Sequence, residues 1–294
     1  MSETLYVIVL NWNGEKVIAP CLASLARVSE PPLRIIVVDN ASTDRSPEIV
    51  RRDFPGAELI ANGTNLLFAA GNNVGLERAM AGGGRFFLLL NNDTEVDPGF
   101  ALQMLSAITR DPRIGIVGPK ILYHDDPKRI WYGGGDFYPL IGVPRHVNIR
   151  KLDGTVPERA GETAYVSGCA MLIRREVIEG IGLLDPSYRM YCEDVDFCLR
   201  ARRAGWKCRY EPSAVIRHKV SASSGGGFTP YKLENRIAST YRLFSRFKPL
   251  RWRVALFPVH LCAFLALLAA LLCTGRRELL KGALRGAARV MHGD

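Results

Sequence analysis

The stretch Phe86–Asp97 reads FFLLLNNDTEVD: five large apolar residues give way at once to Asn91, Asn92 and Asp93. An apolar run this short, closed by polar residues, predicts a strand that is buried on both faces of a parallel sheet. Ligands of open parallel α/β sheets bind just beyond the carboxyl ends of the strands, so Asp93 stands where such a fold binds its ligand. Its carboxylate suits a divalent cation that bridges to phosphates. A turn rich in Asn and Asp, with no ligand, is the alternative.

Two earlier strands end in the same way. Tyr6–Leu10 is followed by NWNG, and Arg34–Val38 is followed by DNASTD. Strands that alternate with helical patterns predict βαβ units and a parallel sheet. The other predicted elements of this half are helices at Val17–Leu25, at Ser46–Asp53 and from a start near Asn72, and a short strand at Glu58–Ala61.

Both common glycine-rich phosphate-binding sequences are missing from the places where they would act. The first strand is followed by NWNG rather than GxGxxG, and GxxxxGK[ST] does not occur. The cluster Gly82-Gly83-Gly84 precedes a strand instead of opening a helix. If the chain binds phosphates, a metal ion therefore has to neutralise them, which favours a ligand role for Asp93.

The second half contains an acidic cluster and a histidine at predicted element ends. Glu193, Asp194 and Asp196 open a helix, and His218 follows a strand at Ala214–Arg217. Acids in a first helical turn are commonly structural because they complement the helix dipole. A histidine at a strand end beyond such a cluster is a candidate ligand. The other predicted elements are helices at Pro98–Arg110 and Arg174–Ile181, strands at Gly115–Leu122 and Tyr165–Ile173, and loops with short strands at Trp131–Arg159.

Composition excludes several classes of protein. The chain has 294 residues, of which 48% are hydrophobic and 23% charged, as is usual for a globular protein. Its seven cysteines form no CxxC pair, so neither a zinc site nor a disulfide framework is predicted. The net charge of +10 arises in the segment 236–289, which holds eleven basic residues and one acid. That charge surrounds an apolar segment, which favours an anionic membrane surface over a nucleic acid.

The apolar segment is Ala255–Cys273, 19 residues interrupted by Pro258 and His260. Its length just reaches that of a transmembrane helix. Arginines flank both ends, so a single span would put one basic cluster on the wrong side of the membrane. An amphipathic pattern follows, with Arg277, Lys281, Arg285 and Arg289 opposite Leu280, Leu284, Ala288 and Met291. We therefore expect a segment that lies on or dips into the cytoplasmic leaflet. A single span, a buried helix and a dimer interface are the alternatives.

Several motifs together resemble a known family. In order and spacing they are similar to the inverting family 2 glycosyltransferases with the GT-A fold, and within them to the rhamnosyltransferase-like branch of cell-envelope polysaccharide synthesis. The resemblance runs from Leu5 to about Ser224. It rests on VLNWNG (9–14), VVDNASTD (37–44), NLLFAAGNNVG (65–75), LLLNNDTEV (88–96), VSGCAMLIRR (166–175), EDVDFCLRARRAGW (193–206) and His218.

The resemblance implies a nucleotide site. Asp39 is similar to the family's aspartate that hydrogen-bonds the base, with Asn11 and Asn65 in the same site. Asn72 is expected in a loop that borders the donor, and Asn92 is expected to bind the donor as well.

The resemblance also implies a metal site and a base. Asp93 matches the last position of the family's DxD motif, in which the first aspartate is an amide here, and His218 resembles the second protein ligand of Mn²⁺ or Mg²⁺. An imidazole ligand tilts preference toward Mn²⁺. Asp194 is expected to be the general base, with Glu193 orienting it or the acceptor. Asp196 is expected to cap the helix. Ser167 and Gly168 are expected to form an acceptor-side turn.

The expected architecture is an α/β, Rossmann-like GT-A fold, with a mixed, mostly parallel sheet flanked by helices. Residues 1–235 are predicted to form the glycosyltransferase domain and residues 236–294 a helical membrane-association segment. The expected reaction moves rhamnose from dTDP-rhamnose to a polyprenyl-diphosphate-linked sugar at the cytoplasmic face of the inner membrane. UDP-galactofuranose or UDP-GlcNAc as donor, or a non-catalytic scaffold subunit, are the alternatives. A homo-oligomer is left open.

Overall fold

The computed structural model describes residues 3–138, 142–220 and 229–292. The strands are β1 (Leu5–Asn11), β2 (Leu33–Asp39), β3 (Glu58–Ala61), β4 (Phe86–Asn91), β5 (Thr94–Val96), β6 (Ile114–Tyr123), β7 (Ile130–Tyr132), β8 (Gly135–Tyr138), β9 (Val143–His146), β10 (Gly161–Glu162), β11 (Ala170–Arg174) and β12 (Lys207–His218). The helices are α1 (Ile18–Ala26), α2 (Ser46–Asp53), α3 (Leu67–Ala81), α4 (Phe100–Thr109), α5 (Arg175–Ile181), α6 (Glu193–Arg203), α7 (Pro230–Phe247), α8 (Leu250–Cys273) and α9 (Arg277–His292). The end of the family resemblance, up to Ser224, lies outside the described residues.

The main sheet is mixed and mostly parallel, as predicted. Its strand order is β10-β12-β6-β11-β4-β1-β2-β3, with β5 paired to β12 and β7 to β6. Strands β4, β1, β2 and β3 run parallel to one another, and β12 runs parallel to β6. Strand β11 is antiparallel to both of its neighbours, β4 and β6. Apolar side chains of the central strands, such as the fully buried run from Phe86 to Leu90, form the core.

One edge of the sheet collects residues from distant parts of the sequence. The carboxyl ends of β1, β2, β4, β6 and β12 point the same way, so Asn11, Asp39 and His218 all lie at that edge. Because β11 runs in the opposite direction, the turn before it reaches the same edge, and the Asn91 N–H donates to the Cys169 carbonyl at 2.9 Å. The topology therefore brings the predicted strand-end residues together at the end of the sheet where the parallel strands terminate.

Helix α3 begins earlier than predicted. Its first residue is Leu67, with a positive φ of +64°, whereas the sequence pattern indicates a start near Asn72. The Leu67 N–H donates to Asn65 Oδ1 at 2.8 Å, and the Leu67 carbonyl accepts from Asn40 Nδ2 at 3.0 Å. These contacts hold the backbone in a conformation that a leucine rarely adopts, so the helix can start there.

The strand predicted at Tyr165–Ile173 is shorter than expected. It begins only at Ala170, because the Ala170 N–H turns back to the Ser167 carbonyl at 3.2 Å. The strand predicted at Ala214–Arg217 is the end of the longer β12, which bulges between Glu211 and Val215. Helix α2 and strand β3 have the predicted bounds.

The segment 131–159 contains short strands and loops, as predicted. Strands β8 and β9 form a separate two-stranded sheet. Buried Lys120 on β6 holds the loop that follows: its Nζ donates to Asp153 at 2.8 Å and to Glu158 at 2.9 Å. Tyr210 on β12 also donates to Glu158, at 3.1 Å. These bonds order a loop whose own sequence carries little structural signal.

The chain divides into two compact units. The first contains residues 1–136, 146–186 and 193–226, and the second contains residues 137–145, 187–192 and 227–294. The first includes the large sheet. The second is built on α7, α8 and α9, and the predicted boundary between residues 235 and 236 falls inside α7.

Helix α9 is amphipathic, but its buried side differs from the predicted one. Leu279 and Ala283 are buried, whereas Leu284 and Met291 of the predicted apolar side are exposed. The predicted basic stripe is partly engaged inside the unit as well. Arg285 donates to Glu234 at 2.8 Å, and Arg289 donates to Asn235 at 3.0 Å. Helix α7 therefore covers a side of α9 that includes part of the predicted basic stripe, and the predicted apolar side keeps Leu284 and Met291 exposed.

Candidate functional site

Asp39 at the end of β2 is held by several short hydrogen bonds. Its Oδ1 accepts from Asn11 Nδ2 at 2.9 Å and from the Ser42 hydroxyl at 2.6 Å. Its Oδ2 accepts from the Ser42 N–H at 3.0 Å. Asn11 also donates to the Ser46 hydroxyl at 2.9 Å, and Asn11 and Asp39 are both buried. The ends of β1 and β2 are therefore positioned by contacts within the protein.

Asn92 and Gly14 complete this arrangement. Asn92 Nδ2 donates to Asn11 Oδ1 at 2.8 Å, which joins the end of β4 to the end of β1. A Cβ atom at Gly14 would lie 2.2 Å from Asn11 Oδ1 and 2.4 Å from Asn92 Nδ2, so only glycine fits there. This explains the last residue of NWNG. We call the set of Asn11, Asp39, Ser42, Ser46 and Asn92 the closed network.

Asn40, which is absent from the sequence-based site, joins the closed network to the next loop. Its Nδ2 donates to Asn65 Oδ1 at 3.2 Å, and its Oδ1 accepts from Asn62 Nδ2 at 2.8 Å. Asn65 is exposed and is thereby held beside the end of β2, next to Asp39. The signal that could have revealed Asn40 is its place directly after Asp39 at a strand end.

Asn72 lies inside α3, so its predicted position in a loop was wrong. It is buried, and its Nδ2 donates to the Phe68 carbonyl at 2.9 Å, one turn back along the helix. The next residue, Asn73, exchanges hydrogen bonds of 2.8 and 3.1 Å with the backbone of Leu184. Both asparagines therefore make structural contacts in this position.

Asp93 and His218 are brought into contact. Asp93 Oδ1 lies 3.0 Å from His218 Nε2, and their side chains are only 4% and 7% exposed. The antiparallel pairing of β5 with β12 sets this distance, because it places Thr94 opposite His218. The Lys219 N–H also donates to the Asp93 carbonyl at 2.9 Å. We call Asp93 and His218 the open pair, for the reason given next.

Polar atoms of the open pair lack hydrogen-bond partners. Among the described residues, buried Asp93 Oδ1 and His218 Nδ1 have none, so the short Nε2···Oδ1 approach is not a well-formed hydrogen bond. Two ligand atoms that face a common cation approach each other in this way. The donor set, one carboxylate and one imidazole, fits Mn²⁺ or Mg²⁺. No group of three His, Cys, Asp or Glu side chains in the described ranges could hold a metal, so other oxygens have to complete the coordination.

Trp131 orients the ring of His218. The two rings meet edge to face, with centroids 4.7 Å apart and planes at 77°. Trp131 also packs edge to face against His146, with ring centroids 4.5 Å apart. The Trp131 carbonyl oxygen lies 3.1 Å from His146 Nδ1. Metal-binding histidines are usually oriented by a hydrogen bond to the second ring nitrogen. Here that nitrogen has no partner in the described chain, so ring packing takes over the orienting role.

Asp194 is aimed by backbone donors. Its Oδ2 accepts from the Gly168 N–H and its Oδ1 from the Val195 N–H, both at 2.8 Å. A Cβ atom at Gly168 would lie 2.9 Å from Phe68 Cζ, so glycine permits this close approach. Buried Ser167 supports the turn, because its hydroxyl accepts from the Cys169 N–H at 3.3 Å. The predicted acceptor-side turn thus contacts the predicted base directly.

Glu193 differs from its neighbour. Burial, and then the charge of Asp194, raise the pKa of Glu193 to about 8. Its Oε2 is buried without a hydrogen-bond partner in the described structure. Burial also raises the pKa of Asp194, but the two backbone N–H groups favour its ionised form. Of the two adjacent carboxyl groups, Glu193 therefore keeps its proton up to about pH 8, whereas the backbone donors at Asp194 favour its charged form.

The backbone in front of this pair is strained. Tyr191 and Cys192 have φ values of +70° and +67°, a conformation that is uncommon for residues other than glycine. Strain of this kind concentrates at functional sites, where surrounding contacts maintain it. It directly precedes Glu193 and Asp194, the pair whose pKa values are raised.

Asp196 lies in the first turn of α6, and its role as a helix cap stays a prediction. It is fully buried and accepts from Arg200 Nε at 2.8 Å, one turn further along the helix. Arg200 in turn donates to the carbonyls of Ile181 and Leu183 at 2.7 and 2.8 Å. The ion pair therefore anchors α6 to the segment after α5.

Cys169 shows that Asp93 and Asp194 face the same region. The pKa of its thiol is raised by burial first and then by surrounding groups that include both carboxylates. A buried thiol with a raised pKa stays protonated and is a poor nucleophile. Carboxylates rather than a thiolate are therefore the reactive groups around the start of β11.

A family model described as glycosyl transferase family 2 matches residues 6–182 of the chain, which is more than half of it. The match contains the closed network, Asp93, Ser167 and Gly168. It ends before Glu193, Asp194 and His218.

Several relatives are similar over most of the chain. It is 29% identical over 247 residues to N-acetylglucosaminyl-diphospho-decaprenol L-rhamnosyltransferase of Mycobacterium tuberculosis, with 76% of this chain and 79% of that protein covered. It is 20% identical over 224 residues to dTDP-rhamnosyl transferase RfbF of Shigella flexneri, with 76% and 72% covered. It is 26% identical over 212 residues to the low-salt glycan biosynthesis hexosyltransferase Agl10 of Haloferax volcanii, with 69% and 63% covered.

Solved structures share the fold. The mannosyltransferase PcManGT from Pyrobaculum calidifontis, in complex with GDP-Man and Mn²⁺, is 18% identical, with a TM-score of 0.62 and 99% of this chain and 88% of that chain covered. GalNAc-T7 with UDP, GalNAc and Mn²⁺ is 16% identical, with a TM-score of 0.63; 82% of this chain is covered but only 48% of that chain. Together with the family match, this likeness gives the chain the GT-A fold. The chain belongs to glycosyl transferase family 2, is a glycosyltransferase and resembles the rhamnosyltransferases.

Proposed function

We propose that the protein transfers rhamnose, with inversion, from dTDP-rhamnose to a polyprenyl-diphosphate-linked sugar, in a reaction that depends on Mn²⁺ or Mg²⁺. The contact between Asp93 and His218, with its unpartnered buried atoms, carries the proposal that a metal takes part. The donor and acceptor rest on the names of the rhamnosyltransferase relatives, one of which acts on a decaprenol-linked sugar and one of which carries dTDP in its name.

In this proposal Asp93 and His218 would hold the cation that acts on the diphosphate of the donor. When bound, the cation neutralises charge on the leaving nucleoside diphosphate. The closed network lies at the end of β1 and β2, where Asp39 and Asn65 would bind the nucleoside. No glycine-rich phosphate loop is needed, because the open pair supplies the means of holding the diphosphate.

Asp194 acts as the general base. Inverting transfer requires a group that takes the proton of the acceptor hydroxyl, on the face opposite the leaving group. The Gly168 and Val195 N–H groups hold its carboxylate in place, and burial raises its pKa, which makes it a stronger base. The Glu193 carboxyl, with a pKa of about 8, stays neutral beside it and so does not place a second negative charge next to the acceptor.

The C-terminal segment 236–294 attaches the enzyme to the cytoplasmic face of the inner membrane, where a polyprenyl-linked acceptor is accessible. Helix α8 supports this part of the proposal. Among the described residues it is the one helix long and apolar enough to cross a membrane, and only 6% of its most apolar window is buried.

The first test is calorimetric binding of dTDP, UDP and GDP to the intact protein, each with and without Mn²⁺. We expect dTDP to bind most tightly, and only when the metal is present. A preference for UDP would keep the mechanism and replace the donor by a UDP-sugar. Absence of binding by all three nucleotides would contradict the nucleotide-sugar proposal.

The second test is transfer from dTDP-rhamnose to a synthetic polyprenyl-diphosphate sugar, followed by NMR of the product anomer. Asp194→Asn should lower turnover by about 10²–10⁴-fold, as expected on loss of a general base, while metal-dependent nucleotide binding is kept. Retention of the donor's anomeric configuration would rule out the single-displacement mechanism. If the intact protein binds nucleotide but transfers no sugar, a scaffold role is favoured instead.

A further inference from the structure

Helices α7, α8 and α9 form a packed group within the second unit. The buried residues Leu233, Leu271, Leu279 and Ala283, one or more from each helix, make a common apolar cluster. Partly buried residues on the same helices pack around it: Ile237, Phe264, Leu267, Leu268 and Leu280. Helix α8 therefore does not leave the unit as an isolated segment.

The contacts show that α8 folds back along α7. Near the end of α7, Phe244 packs edge to face against His260 in the middle of α8, with ring centroids 4.5 Å apart. Eleven residues earlier on α7, Leu233 shares the apolar cluster with Leu271, eleven residues later on α8. Contacts that move toward the start of α7 therefore move toward the end of α8 by the same number of residues. The two helices are antiparallel, and the end of α8 lies near the start of α7.

Helix α9 then runs along α7 at close range. A Cβ atom at Gly282 would lie 2.4 Å from the Pro230 carbonyl oxygen, and one at Gly286 would lie 2.8 Å from the Glu234 carbonyl oxygen. The ion pair between Arg285 and Glu234 spans the same contact at 2.8 Å. Both helices that flank α8 are thus firmly joined to each other.

Helix α7 is too polar to enter a bilayer. Its sequence includes Lys232, Glu234, Arg236, Arg242 and Arg246, and α9 adds further charges. Charged side chains are strongly disfavoured in the hydrocarbon region. If α8 crossed the membrane, its contacts with α7 and α9 would have to break or those charges would have to follow it.

One side of α8 stays exposed and apolar along its whole length. Leu250 is 69% exposed at its start, Leu265 is 53% exposed in its middle and Leu272 is exposed at its end. Arginines border both ends, at positions 251 and 253 and at positions 276 and 277. A continuous apolar side bordered by basic residues suits the boundary between hydrocarbon and anionic headgroups.

We infer that α8 lies in the plane of the membrane surface, with its exposed apolar side in the anionic leaflet, and does not cross the bilayer. Helices α7 and α9 then cover its other side and remain in water, with both arginine clusters on the same side of the membrane. This inference rests on the membrane attachment proposed above and specifies its form. The basic residues favour an anionic lipid surface as the occupant rather than a second copy of the chain.

Two native cysteines test the inference. Cys262 and Cys273 on α8 are exposed, whereas the other five cysteines are buried. The full chain is prepared as Cys273→Ser, which leaves Cys262, and as Cys262→Ser, which leaves Cys273. Each is bound to the outside of sealed phosphatidylcholine vesicles that contain a quarter phosphatidylglycerol, and a charged, impermeant maleimide is added outside. Flotation separates bound from free protein.

We expect Cys273 of bound protein to react as it does in solution, because an in-plane helix keeps both ends on the outer side. Protection of Cys273 until detergent opens the vesicles would mean that α8 spans the bilayer, which overturns the inference but keeps membrane attachment. Failure to float would overturn both. Protection of Cys262 without vesicles, together with a dimer in solution, would identify a second copy as the occupant and overturn the lipid assignment.

A charge on the exposed side provides a second measurement. Leu265→Glu should lower the vesicle partition coefficient by roughly tenfold or more, because the substitution removes the favourable transfer of the leucine side chain into lipid. Leu102→Glu on α4, at a leucine of similar exposure (47%), is the matched control and should leave partition unchanged. Circular dichroism of both variants in solution checks that the helices persist. Equal partition of the two variants would contradict contact between this side of α8 and lipid.

Discussion

The closed network and the open pair lie at the same edge of one sheet, yet their polar atoms are satisfied in different ways. In the closed network, Asp39 accepts from Asn11 and twice from Ser42, so its carboxylate is surrounded by donors of the protein itself. In the open pair, buried Asp93 Oδ1 and His218 Nδ1 have no hydrogen-bond partner among the described residues, and the polar ends of the two side chains contact each other. Folding completes the first arrangement, whereas the second needs a ligand to complete it.

This difference separates stability from function. Removal of one partner from a satisfied buried network leaves the remaining groups unpaired, and that cost appears in the free energy of unfolding. Removal of a group that has no partner in the folded protein costs little stability, and the loss appears when the ligand binds. The two regions should therefore respond in opposite ways to the same kind of substitution.

The largest expected effect is that of Asp93→Ala on transfer. Loss of a ligand that neutralises the leaving diphosphate should lower turnover on the order of 10³-fold. Metal-dependent binding of nucleotide should vanish with it, as calorimetry with and without Mn²⁺ would show. The free energy of unfolding should stay within about 1 kcal/mol of the wild-type value in a urea titration, because among the described residues Oδ1 makes no hydrogen bond and its close contact is with His218 alone. A variant that is strongly destabilised would show that the open pair is a structural contact.

The complementary substitution is Asp39→Ala. It leaves Asn11 Nδ2 and the Ser42 N–H and hydroxyl without their acceptor, so the free energy of unfolding should fall by about 2–3 kcal/mol. Urea titration at constant pH measures this. Asp97→Ala, which breaks a half-exposed ion pair with Arg217, is the control and should change stability much less. Equal effects of the two substitutions would contradict the role given to the closed network.

The sequence was informative where a local pattern carries the structure. Buried strands that end in polar residues predicted the sheet, and they predicted the places of Asp39, Asp93 and His218 at element ends. The family resemblance then related these positions to one another. Strand direction decides which of these positions lie together. Strand β11 is antiparallel to β4, so the turn before it brings Gly168 to the carboxyl ends of the parallel strands.

Contacts between distant residues were beyond local patterns. The start of α3 depends on Asn40 and Asn65, which satisfy the backbone of Leu67 from outside the helix. The contact between Trp131 and His218 joins segments far apart in the chain, and no periodicity links them. The buried side of α9 is the one that packs against α7, whereas the helical pattern alone indicated a different side. In each case a tertiary partner overrides the local preference.

Trp131 offers a smaller test of the open pair. Trp131→Ala removes the ring that packs against His218, and the affinity for Mn²⁺ in the presence of nucleoside diphosphate should weaken by about tenfold. Electron paramagnetic resonance of free Mn²⁺ measures this without turnover. Trp131→Phe should restore most of the affinity. Trp206→Ala, a substitution of a tryptophan that packs near Gly115, is the control and should leave Mn²⁺ binding unchanged. Unchanged binding in Trp131→Ala would show that the ring does not position the ligand.

The last expected effect concerns Glu193, whose Oε2 lacks a hydrogen-bond partner as atoms of the open pair do, and whose pKa is raised to about 8 from 4.5. Between these pH values the folded protein keeps a proton that the unfolded chain releases, so this group makes the free energy of unfolding fall as pH rises. Glu193→Gln removes that contribution. The difference in stability between Glu193→Gln and the wild type should therefore grow with pH, on the order of 1 kcal/mol per pH unit, and level off above about pH 8.

Urea titrations from pH 5 to 9 measure this difference in stability, with Glu176→Gln at an exposed site as the control. Parallel pH dependence of the wild type and Glu193→Gln would mean that Glu193 is ionised in the folded protein at neutral pH, and the base would then be a pair of charged carboxylates.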